Sequence, residues 1–310
     1  MGESENSTIS LEDMNTWFSK LAGPGSKTAM GVLLARFAES RKPEGERICY
    51  DPFAIHFLSQ DIMTWAAHNP EKMKAMKEHH ERLFPGLDNS LVARVRFFDD
   101  FVRRAIDDGL QQLVIIGAGY DSRAYRIEGL KNVTVFEVDS SATQDVKKEK
   151  VKKILGNLPD HVMYVSADLE REDFGHRLLK GGYNGSKKTL FLMEGLLAYL
   201  PPSVVDKIFH FISNDSIKGS TILFDYHPQS VVDGSSGQET GRNLKIHVSE
   251  IGEPFKFGIE EESVERFLIE RGFSEVQNVT SEDYKKIYFH GVNEGRAIFR
   301  SLYFAHAVVK

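Results

Sequence analysis

The stretch LVIIGAGYDSRAYR, residues 113–126, decides the fold. Its apolar run, Leu113 to Ile116, ends at Gly117-Ala118-Gly119. A buried strand that runs into Gly-x-Gly before a helix is the nucleotide-holding turn of an open α/β sheet, and its plainer alternative is a simple tight βα turn. The dinucleotide fingerprint asks for a third glycine three positions after the second. Ser122 stands there instead, behind Tyr120 and Asp121. A bulkier turn with an added carboxylate is less suited to a pyrophosphate at a helix N-terminus and better suited to a cationic ligand.

Outward from this turn, short apolar runs alternate with amphipathic stretches. Strands are expected at 112–117, 133–138, 162–166, 189–193 and 220–225, with helices at about 121–128, 141–155, 170–180 and 202–217. This alternation predicts a doubly wound α/β fold with a mostly parallel sheet. A helix at about 260–271 and two closing strands, FSEVQNVT and SLYFAHAVVK, complete seven strands as an antiparallel addition. The Gly/Ser-rich residues 228–243 read as a loop or lid. Residues 281–300 form an insertion without a clear pattern. Residues 1–110 read as helices only, at 11–21, 27–40, 71–83 and 89–108, an N-terminal helical cap over a sheet domain spanning 111–310.

Composition excludes several classes. The 310 residues are 41% hydrophobic and 27% charged, with a net charge of −6, which gives no reason to expect a nucleic-acid partner. Cys49 is the single cysteine, so neither an intramolecular disulfide nor a cysteine-based zinc site is available. The polar, acidic start lacks a signal-peptide core, Asn6 breaks the myristoylation pattern, and no apolar run is long enough to span a bilayer. A cytoplasmic protein with no membrane partner is expected. The histidines show no metal-ligand spacing, so no metal is expected.

The chemistry-bearing residues cluster at strand ends. Asp139 closes the second strand, 20 residues after Gly119, where a carboxylate can accept both ribose hydroxyls; capping the next helix is its other use. Glu137 faces the opposite side of that strand. Asp168 and Leu169 close the third strand, placed to meet an adenine amino group and ring, or again to cap a helix. Glu194 ends the fourth strand, where it can bind an ammonium, orient an acceptor or serve as a loop carboxylate. Tyr199 is placed either to reach the same crevice or to pack. Arg94 and Arg96, on the long helix before the first strand, can each hold a carboxylate through two parallel hydrogen bonds or pair with Asp99 and Asp100. His227, after the fifth strand, is the histidine best placed for general-base work. A bound adenosine with a sulfonium and an amino-acid tail, and no phosphate, suits this set. S-adenosylmethionine is such a molecule.

The ordered motifs TAMGVLLARFAES (28–40), YDPFA (50–54), ARVRFFDDF (93–101), GAGYDSRAYR (117–126), FEVD (136–139), ADL (167–169) and EGLLAYLP (194–201) resemble the leucine carboxyl methyltransferase family, and within it microbial S-adenosylmethionine-dependent O-methyltransferases. The resemblance implies a class I, Rossmann-like methyltransferase. It implies that Arg94 holds the cofactor carboxylate, that Gly117 and Gly119 approach the methionine portion, and that Asp139 takes the ribose; Asp121 is expected at the cofactor from the residues alone, as the turn carboxylate suited to its cation. Asp168 and Leu169 would meet the adenine, and Glu194 would lie by the amino group. Eukaryotic members carry a lysine on an N-terminal helix where this chain offers Ala35 or Arg36. The expected reaction is methyl transfer to a carboxyl or hydroxyl oxygen of a small molecule or peptide. Catalysis would rest on proximity and alignment, with a base such as His227 needed only for a hydroxyl. An NAD-type oxidoreductase and a non-catalytic binding module are the alternatives.

Overall fold

Alternation along the strands builds the core. In the computed structural model, which describes residues 26–310, Leu113 and Ile115 point into one apolar cluster while Val114 and Ile116 point into the other. Leu190 and Leu192 against Phe191 and Met193 repeat the pattern. Both strands are therefore buried on both faces, as central parallel strands must be.

Helices α1 (Lys27–Ser40), α2 (Ala54–Phe57), α3 (Gln60–His68), α4 (Pro70–Leu83) and α5 (Leu87–Asp107) precede the sheet. The winding then runs β1 (Gln112–Ile116), α6 (Arg123–Arg126), β2 (Thr134–Asp139), α7 (Ser141–Leu155), β3 (Val162–Ser166), α8 (Phe174–Lys180), β4 (Thr189–Met193), α9 (Pro202–Asn214) and β5 (Thr221–Tyr226). It closes with α10 (Gln229–Asp233), α11 (Glu239–Glu250), α12 (Val264–Ile269), β6 (Phe273–Val279), α13 (Ser281–Tyr288) and β7 (Tyr303–Val309). The seven strands lie in the order β3-β2-β1-β4-β5-β7-β6. Only β7 runs against the rest, inserted between β5 and β6. The last two strands pair antiparallel with each other at the edge of the sheet, the closing addition expected, with α13 in the connection between them.

The chain leaves β1 toward β2 and β3 on one side, then returns to β4 and β5 on the other. This switch point opens a crevice at the carboxyl ends of β1 and β4, the place where such sheets take ligands. Met30 and Leu33 of α1, Phe57 of α2 and Ile62 of α3 form a third cluster with Val151 of α7. Through it the N-terminal helices sit beside the crevice.

Two expectations are corrected. Residues 228–243 are not an open loop, since α10 and the start of α11 occupy most of them. Gly234, at φ +85°, ends α10, and a Cβ on Gly241 would stand 2.9 Å from the Ser236 hydroxyl and 3.1 Å from Val231. These small residues serve close packing of two helices rather than mobility. The unassigned 281–300 segment contains α13, opened by a capping box in which Thr280 and Asp283 bond each other's backbone. The helix expected at 11–21 lies outside the described residues.

Candidate active site

One cavity of about 1000 Å³ lies over the switch point. Arg94, Gly117, Gly119, Asp121, Asp139, Asp168, Leu169, Glu194, Tyr199 and His227 all border it. Residues drawn from five strand ends and the long helix α5 are thereby brought to one place.

The helix phase separates the two arginines. Arg94 lies on the buried stripe of α5 with Ser90 and Phe97, whereas Arg96 is exposed and pairs with Asp100 one turn on. Arg94 reaches the crevice, where Nη1 donates to Asp225 at 2.8 Å and Nε to Glu194 at 3.2 Å. Burial opposes its charge, but Asp225 and Glu194 outweigh that and raise its pKa further. Asp225 also accepts the Gly195 N–H at 2.6 Å, which fixes the turn after β4. Gly195 has φ +64°, and a Cβ there would stand 3.3 Å from Arg94 Nη2. Gly195→Ala should therefore cost roughly 1–2 kcal/mol in backbone strain and push the guanidinium out of place. Its readout is a lowered melting temperature together with weakened cofactor binding.

Glu194 is shared. Its other oxygen lies 2.6 Å from Nη1 of Arg123, and Arg123 also donates from Nε to Asp99 at 2.8 Å and from Nη1 and its backbone N–H to Asp121. Arg126 holds the far oxygen of Asp99 at 2.6 Å. A continuous, almost fully buried chain of charge thus runs from Asp225 to Arg126 beneath the cavity floor. Burial would raise the Asp121 carboxyl, but Arg123 and Lys147 overcome it and hold it down at about 2. Asp121 is ionised at neutral pH, and its described partner is the arginine rather than open space.

Asp139 braces the glycine turn. One oxygen accepts the Gly119 N–H at 2.7 Å and the other the Ser140 N–H at 2.7 Å. Ser140, not Asp139, caps α7 through its hydroxyl. This arrangement is unfavourable to a pyrophosphate, because the turn's N–H is already committed to a carboxylate. The following helix α6 is also a single turn and offers little dipole. A Cβ on Gly119 would meet only the Gly117 carbonyl, at 3.8 Å, so the turn leaves ligand space above it. Asp168 is half exposed at the cavity rim, its carboxylate accepting the N–H groups of Glu170 and Arg171. It does not cap α8, which Asp173 does. Leu169 packs against the apolar cluster beside it.

The two remaining candidates differ in protonation. His227 Nδ1 lies 2.6 Å from the Ser301 carbonyl, which can only accept, so Nδ1 carries the proton and Nε2 holds the lone pair. Burial lowers its pKa against the opposing pull of Ser301 and Asp225, so the ring is neutral at pH 7. Burial pushes the Tyr199 phenol up to about 12, with Thr28 bonding it, so Tyr199 is a donor and not a base. Arg36 lies on the cavity wall, giving a hydrogen bond of 2.8 Å to the Tyr120 carbonyl. Among the described residues no cluster of three His, Cys, Asp or Glu side chains is arranged to hold a metal.

Asp225 and Arg123 were missed by sequence reading. Asp225 closes β5 just as Asp139 closes β2, so the strand-end rule applied evenly would have found it. Arg123 gave no signal, since arginine at the start of a helix normally faces water.

Comparison with known proteins settles the family. The family model described as leucine carboxyl methyltransferase matches residues 29–213, more than half of the chain. The chain belongs to the leucine carboxyl methyltransferase family. A Mycobacterium avium protein described as an S-adenosyl-L-methionine-dependent methyltransferase is 34% identical over 222 residues, covering 70% of this chain and 71% of that one. A Mycobacteroides abscessus relative of the same description is 36% identical over 204 residues, 64% of each chain. Among solved structures, a Thermobifida fusca protein described as a methyltransferase superposes with a TM-score of 0.57 at 17% identity, covering 76% of this chain and 88% of that one. A Streptomyces avermitilis protein gives 0.58 at 14% identity, covering 89% and 97%. These two share the fold. This family member is an S-adenosylmethionine-dependent methyltransferase that acts on a methyl acceptor. No helix among the described residues is long and apolar enough to cross a membrane.

Proposed function

We propose that this methyltransferase places the methyl group on oxygen, in a carboxyl or hydroxyl group of a small molecule or peptide. The observation that carries the reading is the neutral His227 ring at the cavity wall, with Nε2 as its open acceptor. The family's own description names a carboxyl, which is likewise an oxygen acceptor.

In this proposal the residues fit the cofactor in parts. Asp139 takes the ribose hydroxyls through the second lone pairs of oxygens whose first are spent on Gly119 and Ser140. Asp168 and Leu169 take the adenine at the rim, and Gly117 and Gly119 admit the methionine portion. Arg94 holds the tail carboxylate, Glu194 attends the ammonium, and Asp121 and Asp225 supply the negative field that favours a sulfonium. The bound cofactor supplies an activated methyl group. The protein's own part is to align the acceptor oxygen with it, exclude water, and receive a proton at His227 Nε2 where the acceptor is a hydroxyl. Tyr199 orients the acceptor by donating a hydrogen bond.

Of the expected 1–110 cap, the described helices of residues 26–110 act in this proposal to close the cavity over the 111–310 sheet domain, and a cytoplasmic location goes with the same reading. The test is a metabolite and peptide extract incubated with the protein and methyl-labelled S-adenosylmethionine. Label lost on mild alkaline treatment marks a methyl ester, and stable label on oxygen marks an ether. Label found only on nitrogen, carbon or sulfur would refute oxygen transfer.

A further inference from the structure

The cavity's lining beyond the residues given to the cofactor, its apolar arm, is drawn from α3, α4, α5 and α11. The cavity's volume lies at the top of the roughly 300–1,000 Å³ range of ligand pockets, which leaves room beside a nucleoside-sized molecule. The arm is walled by Met63 of α3, Met73 and Met76 of α4, Leu91 of α5, and Leu244 and Val248 of α11. Methionine-rich apolar walls accept flat or irregular apolar shapes by adjusting their unbranched side chains.

Charge at the reactive end narrows the choice further. Acidic side chains outnumber lysines and arginines around the cavity. Its buried cations are already answered: Arg94 faces both Asp225 and Glu194, and Arg36 lies 3.4 Å from Asp51. A carboxylate acceptor brought to His227 would set an acceptor-only oxygen against the Nε2 lone pair, whereas a hydroxyl donates its proton there. The groups facing His227 suit this acceptor. Asp225 from β5 can stabilise an imidazolium once formed, Arg94 from α5 opposes it, and Ser301 fixes the ring. Phe255 packs against the ring at 4.9 Å and Phe299 at 6.3 Å.

We infer that the acceptor is a neutral, apolar hydroxyl compound whose body lies between α4 and α11 and whose hydroxyl is presented to His227. This rests on the oxygen-transfer reading and narrows it to one side. In the step, the hydroxyl proton goes to Nε2 while the oxygen lone pair forms the new O–CH₃ bond. The S–CH₃ bond breaks, its electron pair staying on sulfur as a neutral thioether. A second polar point is available in the arm. His247 borders it, and its buried Nδ1 has no hydrogen-bond partner among the described residues. Burial and His80 hold that ring neutral, with a pKa of about 4, so an uncharged polar atom on the acceptor's far end would satisfy it.

The experiment compares 2-naphthol with 2-naphthoate, which share an apolar body and differ in charge. Calorimetry is run on the full chain saturated with S-adenosylhomocysteine, and methyl transfer is followed separately by mass spectrometry. The naphthol is expected to bind at least about tenfold more tightly and to yield its methyl ether. His227→Gln is expected to lower that turnover by about 100-fold or more, and to remove the acid limb of its pH profile, without loss of S-adenosylhomocysteine binding. Equal or tighter binding of the naphthoate, or formation of its methyl ester, overturns the inference. So does failure of both probes to bind a chain that does bind S-adenosylhomocysteine. Failure to bind S-adenosylhomocysteine at all would strike the underlying methyltransferase reading instead.

Discussion

Arg123→Met is expected to lose about 3–5 kcal/mol of unfolding free energy, the usual consequence of stripping one partner from a buried ion cluster. Arg123 is 1% exposed and its guanidinium lies against three carboxylates, Asp99, enclosed in the core, and Asp121 and Glu194 at the cavity wall. Methionine fills the volume over Phe98 but leaves those charges facing one another. A denaturant midpoint measured at neutral pH checks this. The acid limb gives a second reading. Asp121 titrates at about 2 in the folded chain against an ordinary 3.8, so its stabilisation is complete above about pH 4 and is lost as the pH falls toward 2. Without Arg123 the depressing charge is gone, and stability should fall less steeply across that window. A loss below about 1 kcal/mol with an unchanged acid limb would mean that the cluster is solvated and not structural.

Arg94→Lys is expected to weaken S-adenosylmethionine binding by about 1.5–3 kcal/mol, on the order of 10- to 100-fold. A point ammonium cannot hold Asp225, Glu194 and a ligand carboxylate from one fork. Arg96→Lys is the control, since an exposed helical pair with Asp100 is worth only about 0.3–0.5 kcal/mol. A decarboxylated cofactor analogue should bind the Arg94 variant and the parent alike. An equal defect against both ligands would move the carboxylate elsewhere, with Arg36 the next candidate on the cavity wall.

What the sequence disclosed follows the range of the interactions. The glycine turn, Asp139, Asp168 and Glu194 were legible because a strand end and its following turn are local features, and the switch point then carries them to one crevice. The choice between Arg94 and Arg96 was not local. It depends on the rotation of α5 against the sheet, which only packing fixes, and the resemblance supplied it where residue physics left it open. Composition misled at 228–243, where Gly234 and Gly241 read as flexibility but allow α10 and α11 to approach. Arg123 shows the deepest limit. Its partners come from α5, from its own turn and from β4, so no window of sequence contains the reason for its burial.

The cofactor assignment meets its most direct test in a calorimetric titration of S-adenosylmethionine into the parent chain and into Asp139→Asn, with NAD titrated in parallel. Asparagine keeps the size but gives up the charged pair of acceptors that brace Gly119 and that the proposal gives to the ribose. The parent is expected to bind S-adenosylmethionine and not NAD, and the variant to lose about 1.5–3 kcal/mol of that affinity while melting near the parent temperature. Unchanged S-adenosylmethionine affinity in a stably folded variant, or NAD binding by the parent, would contradict the assignment of this crevice.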